Sequence, residues 1–93
     1  MIKVTLILLD ERLKKEIGKK EIAIELHESE ATVRCLLRKA VMQYGDKTLE
    51  SILKPETSIF LNGQNVEFLG GLEAKLSEGD RVAIVPLIEG GSQ

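Results

Sequence analysis

The chain has a single cysteine, Cys35, so an internal disulfide is impossible, and this usage fits a reducing compartment. It has one histidine, His27, with no second His or Cys at metal-ligand spacing. No nucleophile–base set and no phosphate-cradling glycine loop can be traced, which argues against an enzyme in its own right. Long apolar runs are missing too. The longest, Leu6 to Leu9, is far too short to span a bilayer, so no membrane association is expected. No charged-then-apolar leader precedes the first strand pattern, and the expected location is the cytoplasm. Charge of one sign is not in excess: 13 Lys and Arg face 15 Asp and Glu, for a net charge of −2. Without a basic footprint, nucleic acid is not an expected partner. There is no internal repeat and no low-complexity segment.

What is present reads as one small folded unit. Of the 93 residues, 43% are hydrophobic and 30% charged, enough for one core and too few for two. Ile2 to Leu9 is β-prone and alternates, with Ile2, Val4, Leu6 and Leu8 on one face. A charged segment from Asp10 to Lys20 follows, with Leu13 and Ile17 spaced for a helical turn and a return near Gly18-Lys19. Glu21 to Leu26 alternates again as the second strand of a hairpin. Thr32 is a good N-cap, and Val33, Leu36, Leu37, Ala40, Val41 and Tyr44 form one helical apolar stripe. Gly45 is expected to stop that helix in a left-handed conformation, and Leu49 to Leu53 to add one further turn before Pro55. Ser58 to Leu61 reads as a third strand, Asn62-Gly63 as a tight turn, and Val66 to Phe68 as a short returning strand. Gly70-Gly71 breaks the chain through a tight bend or a positive φ, Ser77 to Asp80 turns it, and Arg81 to Val85 is the closing strand, ended by Pro86.

A hairpin, one amphipathic helix and further strands outline an α+β β-grasp: a mixed sheet of about five strands packed on one main helix. Residues 1–86 are expected to form this domain and 87–93 a flexible tail. The face of such a sheet turned away from the helix should be polar, and Lys3, Thr5, Glu21, Glu25, Ser58 and Arg81 agree. Ile7, Phe60 and Val85 do not. They come from separate strands on the same phase, which favours a partner-binding patch over scattered surface hydrophobes. Other tempting residues carry less. Cys35 lies off the main stripe and reads as inert and partly buried, and His27 as a loop residue. The lysines Lys14, Lys15, Lys19 and Lys20 read as solvated surface, with docking of an acidic partner or self-conjugation as the alternative.

Gly90-Gly91 follows the short apolar stretch Leu87-Ile88-Glu89. Two residues without side chains can enter a narrow enzyme channel with almost any backbone conformation. A frayed end is the plain alternative.

The ordered set from Phe68-Leu69-Gly70-Gly71-Leu72 through Leu76 to Pro86, then Gly90-Gly91, resembles the ubiquitin-like sulfur carriers. These comprise the small subunit of molybdopterin synthase, the thiamine- and cysteine-pathway carriers and the archaeal small modifier proteins. Ala31-Thr32-Val33 with Leu36-Leu37, Tyr44-Gly45 and Leu61-Asn62-Gly63 match the same pattern, over nearly the whole chain. The resemblance implies a protein cosubstrate. An E1-like adenylating enzyme would use ATP to activate the carboxylate of Gly91, with Gly90 as the slender approach and no cofactor bound to the chain itself. The acyl group would then take up sulfur as a thiocarboxylate for molybdopterin, thiamine, cysteine or tRNA thiolation by a downstream synthase, or pass to target-protein lysines. The open sheet face, with Ile7, Phe60, Val85 and the adjoining Leu87, would dock these partners. Ser92 and Gln93 depart from the pattern, because Gly91 then has no free carboxylate. Removal by a tail-processing peptidase is favoured, ahead of a cloning remnant or a member that is never activated. A non-covalent ubiquitin-like interaction module is the reading from a different class.

Overall fold

The computed structural model describes residues 1–45 and 57–86. Strand β1, Ile2–Leu8, leads through helix α1, Glu11–Ile17, into β2, Glu21–Leu26. After a 3-10 turn at Glu28–Glu30 comes helix α2, Val33–Tyr44. Strands β3, Thr57–Leu61, and β4, Gln64–Asn65, are followed by 3-10 turns at Val66–Leu69 and Gly71–Glu73, and by β5, Arg81–Pro86. The sheet order is β2-β1-β5-β3-β4. β1 and β5 run parallel side by side, and the other neighbouring pairs are antiparallel. This is the β-grasp architecture expected from the order of elements.

The period-two patterns explain which face is covered. Ile2, Val4, Leu6 and Leu8 of β1 are buried, as are Ile22, Ile24 and Leu26 of β2, Ile59 and Leu61 of β3, and Val82 and Ile84 of β5. They meet Val33, Leu36, Leu37 and Ala40 of α2, so one side of the sheet and one stripe of the helix form the core. Thr32 caps α2 as its residue type suggests: its backbone is extended and its Oγ1 accepts from the Cys35 amide at 3.3 Å. Cys35 itself is half-buried against the core.

Several local expectations are corrected. Val66 to Phe68 is not a strand; it belongs to the 3-10 turn Val66–Leu69, and β4 is only Gln64–Asn65. The cause is a side chain: the Asn65 carboxamide oxygen accepts from the Glu67 amide at 2.9 Å and coils the backbone. Gly70, left-handed at φ 105°, closes that turn by donating to the Val66 carbonyl. Only Val66 is buried, while Phe68 is 85% exposed. Gly45 does stop α2, but at φ 102° and ψ 164°, an extended positive-φ conformation rather than the left-handed one expected. The helical turn expected around Leu13 and Ile17 is present as α1, and the return to β2 follows it at Gly18, with φ 82°. Pro86 is the last residue of β5 rather than the first beyond it, paired with Thr57. The further turn expected at Leu49 to Leu53 lies outside the described residues.

Leu37 is 3% exposed in the helix–sheet core. Leu37→Ala is expected to cost about 2–5 kcal/mol in urea unfolding, the usual range for a buried leucine. A loss near zero would place the core elsewhere.

Candidate functional site

The open face of the sheet is built by the same alternation that builds the core. In the central three strands, Ile7 stands opposite Ala83, and Ala83 opposite Phe60. Val85 lies two residues further along β5, opposite Ser58. The sequence-predicted residues Ile7, Phe60 and Val85 are therefore brought together, all partly exposed. They line an open apolar depression of about 590 Å³.

Two of its apolar lining side chains, Ala83 and Leu9, were missed by sequence reasoning. Ala83 is the low point of the row: a methyl group between Ile7 and Phe60 leaves the space that a larger residue would fill. Its phase was readable, since it alternates with Arg81 and Val85, but its importance depends on a register that one strand does not reveal. Leu9, 43% exposed just past the end of β1, also lines the depression. Its signal was the extra leucine after an alternating run.

The rim is polar and ordered by short contacts. Arg81 approaches Glu21 across the face at 3.6 Å, both side chains about half exposed, an arrangement worth little in water. Asn62 and Gly63 close the far side, with φ 49° and 86°, the positive pair that a type I′ hairpin turn requires. The Asn62 amide nitrogen donates to Asp80 Oδ1 at 3.0 Å, and its oxygen accepts from the Arg81 backbone N–H at 2.9 Å. The β3–β4 turn is thereby tied to the start of β5.

Leu87, Gly90 and Gly91 lie outside the described residues. Their attachment point does not: β5 carries Val85 on the depression and ends at Pro86, the residue before Leu87. Among the described residues, no group of three or more His, Cys, Asp and Glu side chains could hold a metal ion. His27 is exposed before the 3-10 turn at Glu28–Glu30, and Lys14 pairs with Glu11 at 2.9 Å. Gly70 and Gly71 adopt positive φ of 105° and 67°, as expected for a chain break. Among the described residues, no helix is long and apolar enough to cross a membrane.

The sequence model of the ThiS family matches residues 11–91. The chain belongs to the ThiS family. A candidate sulfur carrier protein of Archaeoglobus fulgidus is 40% identical over 74 residues, covering 73% of this chain and 83% of that one. Small archaeal modifier protein 3 of Haloferax volcanii is 30% identical over 79 residues, covering 81% and 85%. Among solved structures, small archaeal modifier protein 1 of Methanosarcina acetivorans superposes with a TM-score of 0.78 at 26% identity, covering 98% of each chain. The ThiS-family chain is thus a ubiquitin-like carrier or modifier, a type of protein that other enzymes act upon rather than an enzyme. The family implies an E1-like activating enzyme and downstream partners.

The lining side chains are half-exposed, so they contribute less to the fold than the core does. Phe60→Ala and Val85→Asp are each expected to cost about 1 kcal/mol or less in urea unfolding. A loss as large as that of a core leucine would show that these residues serve packing.

Proposed function

We propose that this protein is a carrier or modifier activated at Gly91 once Ser92-Gln93 has been removed. The observation that carries the reading is that the family match runs through Gly90-Gly91 and stops at residue 91, leaving Ser92 and Gln93 outside it. Gly91 then needs a free carboxylate, so a peptidase that cuts after it is part of the proposal.

The chemistry follows from the weakness of a carboxylate as an acyl donor. In the activating enzyme, a Gly91 carboxylate oxygen attacks the α-phosphorus of ATP and pyrophosphate leaves. The acyl-adenylate has a good leaving group, AMP. A persulfide that displaces AMP forms an acyl disulfide at Gly91, and a second thiol that attacks the carrier's sulfur breaks the S–S bond, leaving a thiocarboxylate at Gly91 and a disulfide on the carrier. A lysine amine that captures the activated acyl group forms an isopeptide bond instead, giving up a proton. This chain contributes no acid, base or metal to either route. It supplies a slender end and a surface: Gly90 and Gly91 have no Cβ to obstruct the channel, and Ile7, Phe60, Val85 and Leu87 provide apolar area for the enzyme that receives the tail.

Placement of the patch supports that division of labour. Val85 lines the depression one residue before Pro86, the end of β5, so an enzyme gripping the open face lies within five residues of Gly90 in sequence. Docking energy gathered on the face can hold Gly91 in the distant active site, which is how binding remote from the reacting bond is used in catalysis. Sulfur delivery and lysine conjugation would share the adenylation step, and the relatives named above are one called a sulfur carrier and one called a modifier.

Two substitutions separate this reading from a non-covalent interaction module. Gly91→Arg is expected to abolish ATP–pyrophosphate exchange by the activating enzyme, together with thiocarboxylate and conjugates, while the domain stays folded. Phe60→Ala or Val85→Asp is expected to weaken binding to that enzyme roughly tenfold or more, the scale of a well-placed apolar contact. Biological activity that survives Gly91→Arg untouched would assign the function to the sheet face alone, and unchanged affinity in the face variants would remove the docking surface.

A further inference from the structure

The Asn62-Gly63 turn is held in an unusual way for a sequence with its own reactivity. An asparagine followed by glycine can modify itself, because the unhindered Gly63 nitrogen can reach the Asn62 side-chain carbonyl carbon; asparagine is among the thermolabile residues for this reason. The turn is exposed, and the positive φ of Asn62, 49°, places it at the corner of the hairpin. Exposure and a glycine neighbour would leave most such turns vulnerable. Here both ends of the carboxamide are occupied. Nδ2 donates to Asp80 Oδ1 at 3.0 Å and Oδ1 accepts from the Arg81 N–H at 2.9 Å. The two partners fix which end is which, since a backbone N–H can only donate and a carboxylate only accept. Asp80 is itself held, its Oδ2 accepting from the Ser77 amide at 2.7 Å, and the Asn62 backbone N–H donates to the Arg81 carbonyl at 2.8 Å.

We propose that Asn62-Gly63 is a spontaneous deamidation site that the fold keeps closed, with the Asp80 carboxylate as the latch. Reaction requires the carboxamide to swing off Asp80 and Arg81 so that the Gly63 nitrogen can bond to Asn62 Cγ. The Cγ–Nδ2 bond then breaks, and ammonia leaves with the proton lost by the Gly63 amide. Water opens the resulting cyclic imide at either of its C–N bonds. One product is aspartate at position 62. The other is isoaspartate, whose backbone runs through the former side chain and carries an extra methylene through a two-residue turn. The aspartate product places a new carboxylate next to Asp80 on the rim of the apolar depression, where the neutral amide had bridged to it, and the isoaspartate product removes that bridge by drawing the former side chain into the backbone. A hydrogen bond to a charged acceptor is stronger than a neutral one, so Asp80 rather than the Arg81 amide is assigned the larger share of the restraint.

The test is the rate of deamidation at position 62, read by peptide mass spectrometry with isoaspartate detection, on the full chain at neutral pH. The chain unfolded in urea is expected to convert at least roughly tenfold faster than the folded chain. In the folded state, Asp80→Ala is expected to recover much of that difference, while Asp80→Asn, which keeps an acceptor oxygen, stays closer to wild type. Glu78→Ala is the control for general loosening: it removes the 3.1 Å contact from the Lys3 amide in the same turn without touching Asn62, and its rate is expected to match wild type. Hydrogen exchange on each variant verifies that it is folded during the incubation. A folded wild-type chain that converts as fast as the unfolded one would overturn the proposal. So would an Asp80→Ala protein, folded by hydrogen exchange, that converts no faster than Glu78→Ala.

Discussion

The parallel pairing of β1 with β5 joins the first strand of the chain to the last described one, in the middle of the sheet. Thr5 to Leu8 lie opposite Arg81 to Ile84, and Leu6, Leu8, Val82 and Ile84 beneath them are fully buried. Closing a loop of this length costs chain entropy, but the cost grows only slowly with length. What repays it is apolar burial against α2, which no local hairpin could supply alone. β2 can then attach to the outer edge of β1, and β3 to the outer edge of β5. Without the central pair, the two halves of the sheet would have no common floor for the helix.

The same pairing makes the open face. It sets Ile7, Ala83 and Phe60 in one row across three strands and puts Val85 beside them. It also places Val85, on the depression, one residue before Pro86 at the end of β5. Core and candidate site are therefore opposite faces of one register. A slip of one residue in β5 would exchange Val82 and Ile84 for Ala83 and Val85, destroying the core and the depression together. The start of β5 is pinned against such a slip by the turn contacts of Asp80, to which the Thr5 amide donates through its carbonyl at 3.0 Å, and by Asn62.

Much of this was legible in the sequence because burial imposes periods that survive in the residue order. The alternation in β1, β2 and β5 and the stripe on α2 each follow from one covered face, and Thr32 announced its cap through a short polar side chain. The apolar residues Ile7, Phe60 and Val85 stood out as breaks in the polar phase. The failures have a common physical origin in contacts between residues that pattern alone does not connect. Val66-Glu67-Phe68 alternates like a strand, yet the Asn65 carboxamide coils it. The role of Ala83 appears only when Ile7 and Phe60 flank it. Arg34 on α2 meets Glu73 of the 3-10 turn at 2.6 Å, a link spanning 39 positions that no local window contains. Gly90-Gly91 was legible as a motif, and the role proposed for it is chemical, supplied by an enzyme rather than by a contact within the fold.

The central claim is that this protein works through the carboxyl group of Gly91, and the intact mass of the protein isolated from its native cells tests it most directly. A chain ending at Gly91 is expected, either as the acid, with one terminal oxygen replaced by sulfur, or joined to lysine in larger conjugates. A population that keeps Ser92-Gln93 throughout, with no conjugates, would contradict it and leave the apolar sheet face as the site of a non-covalent function.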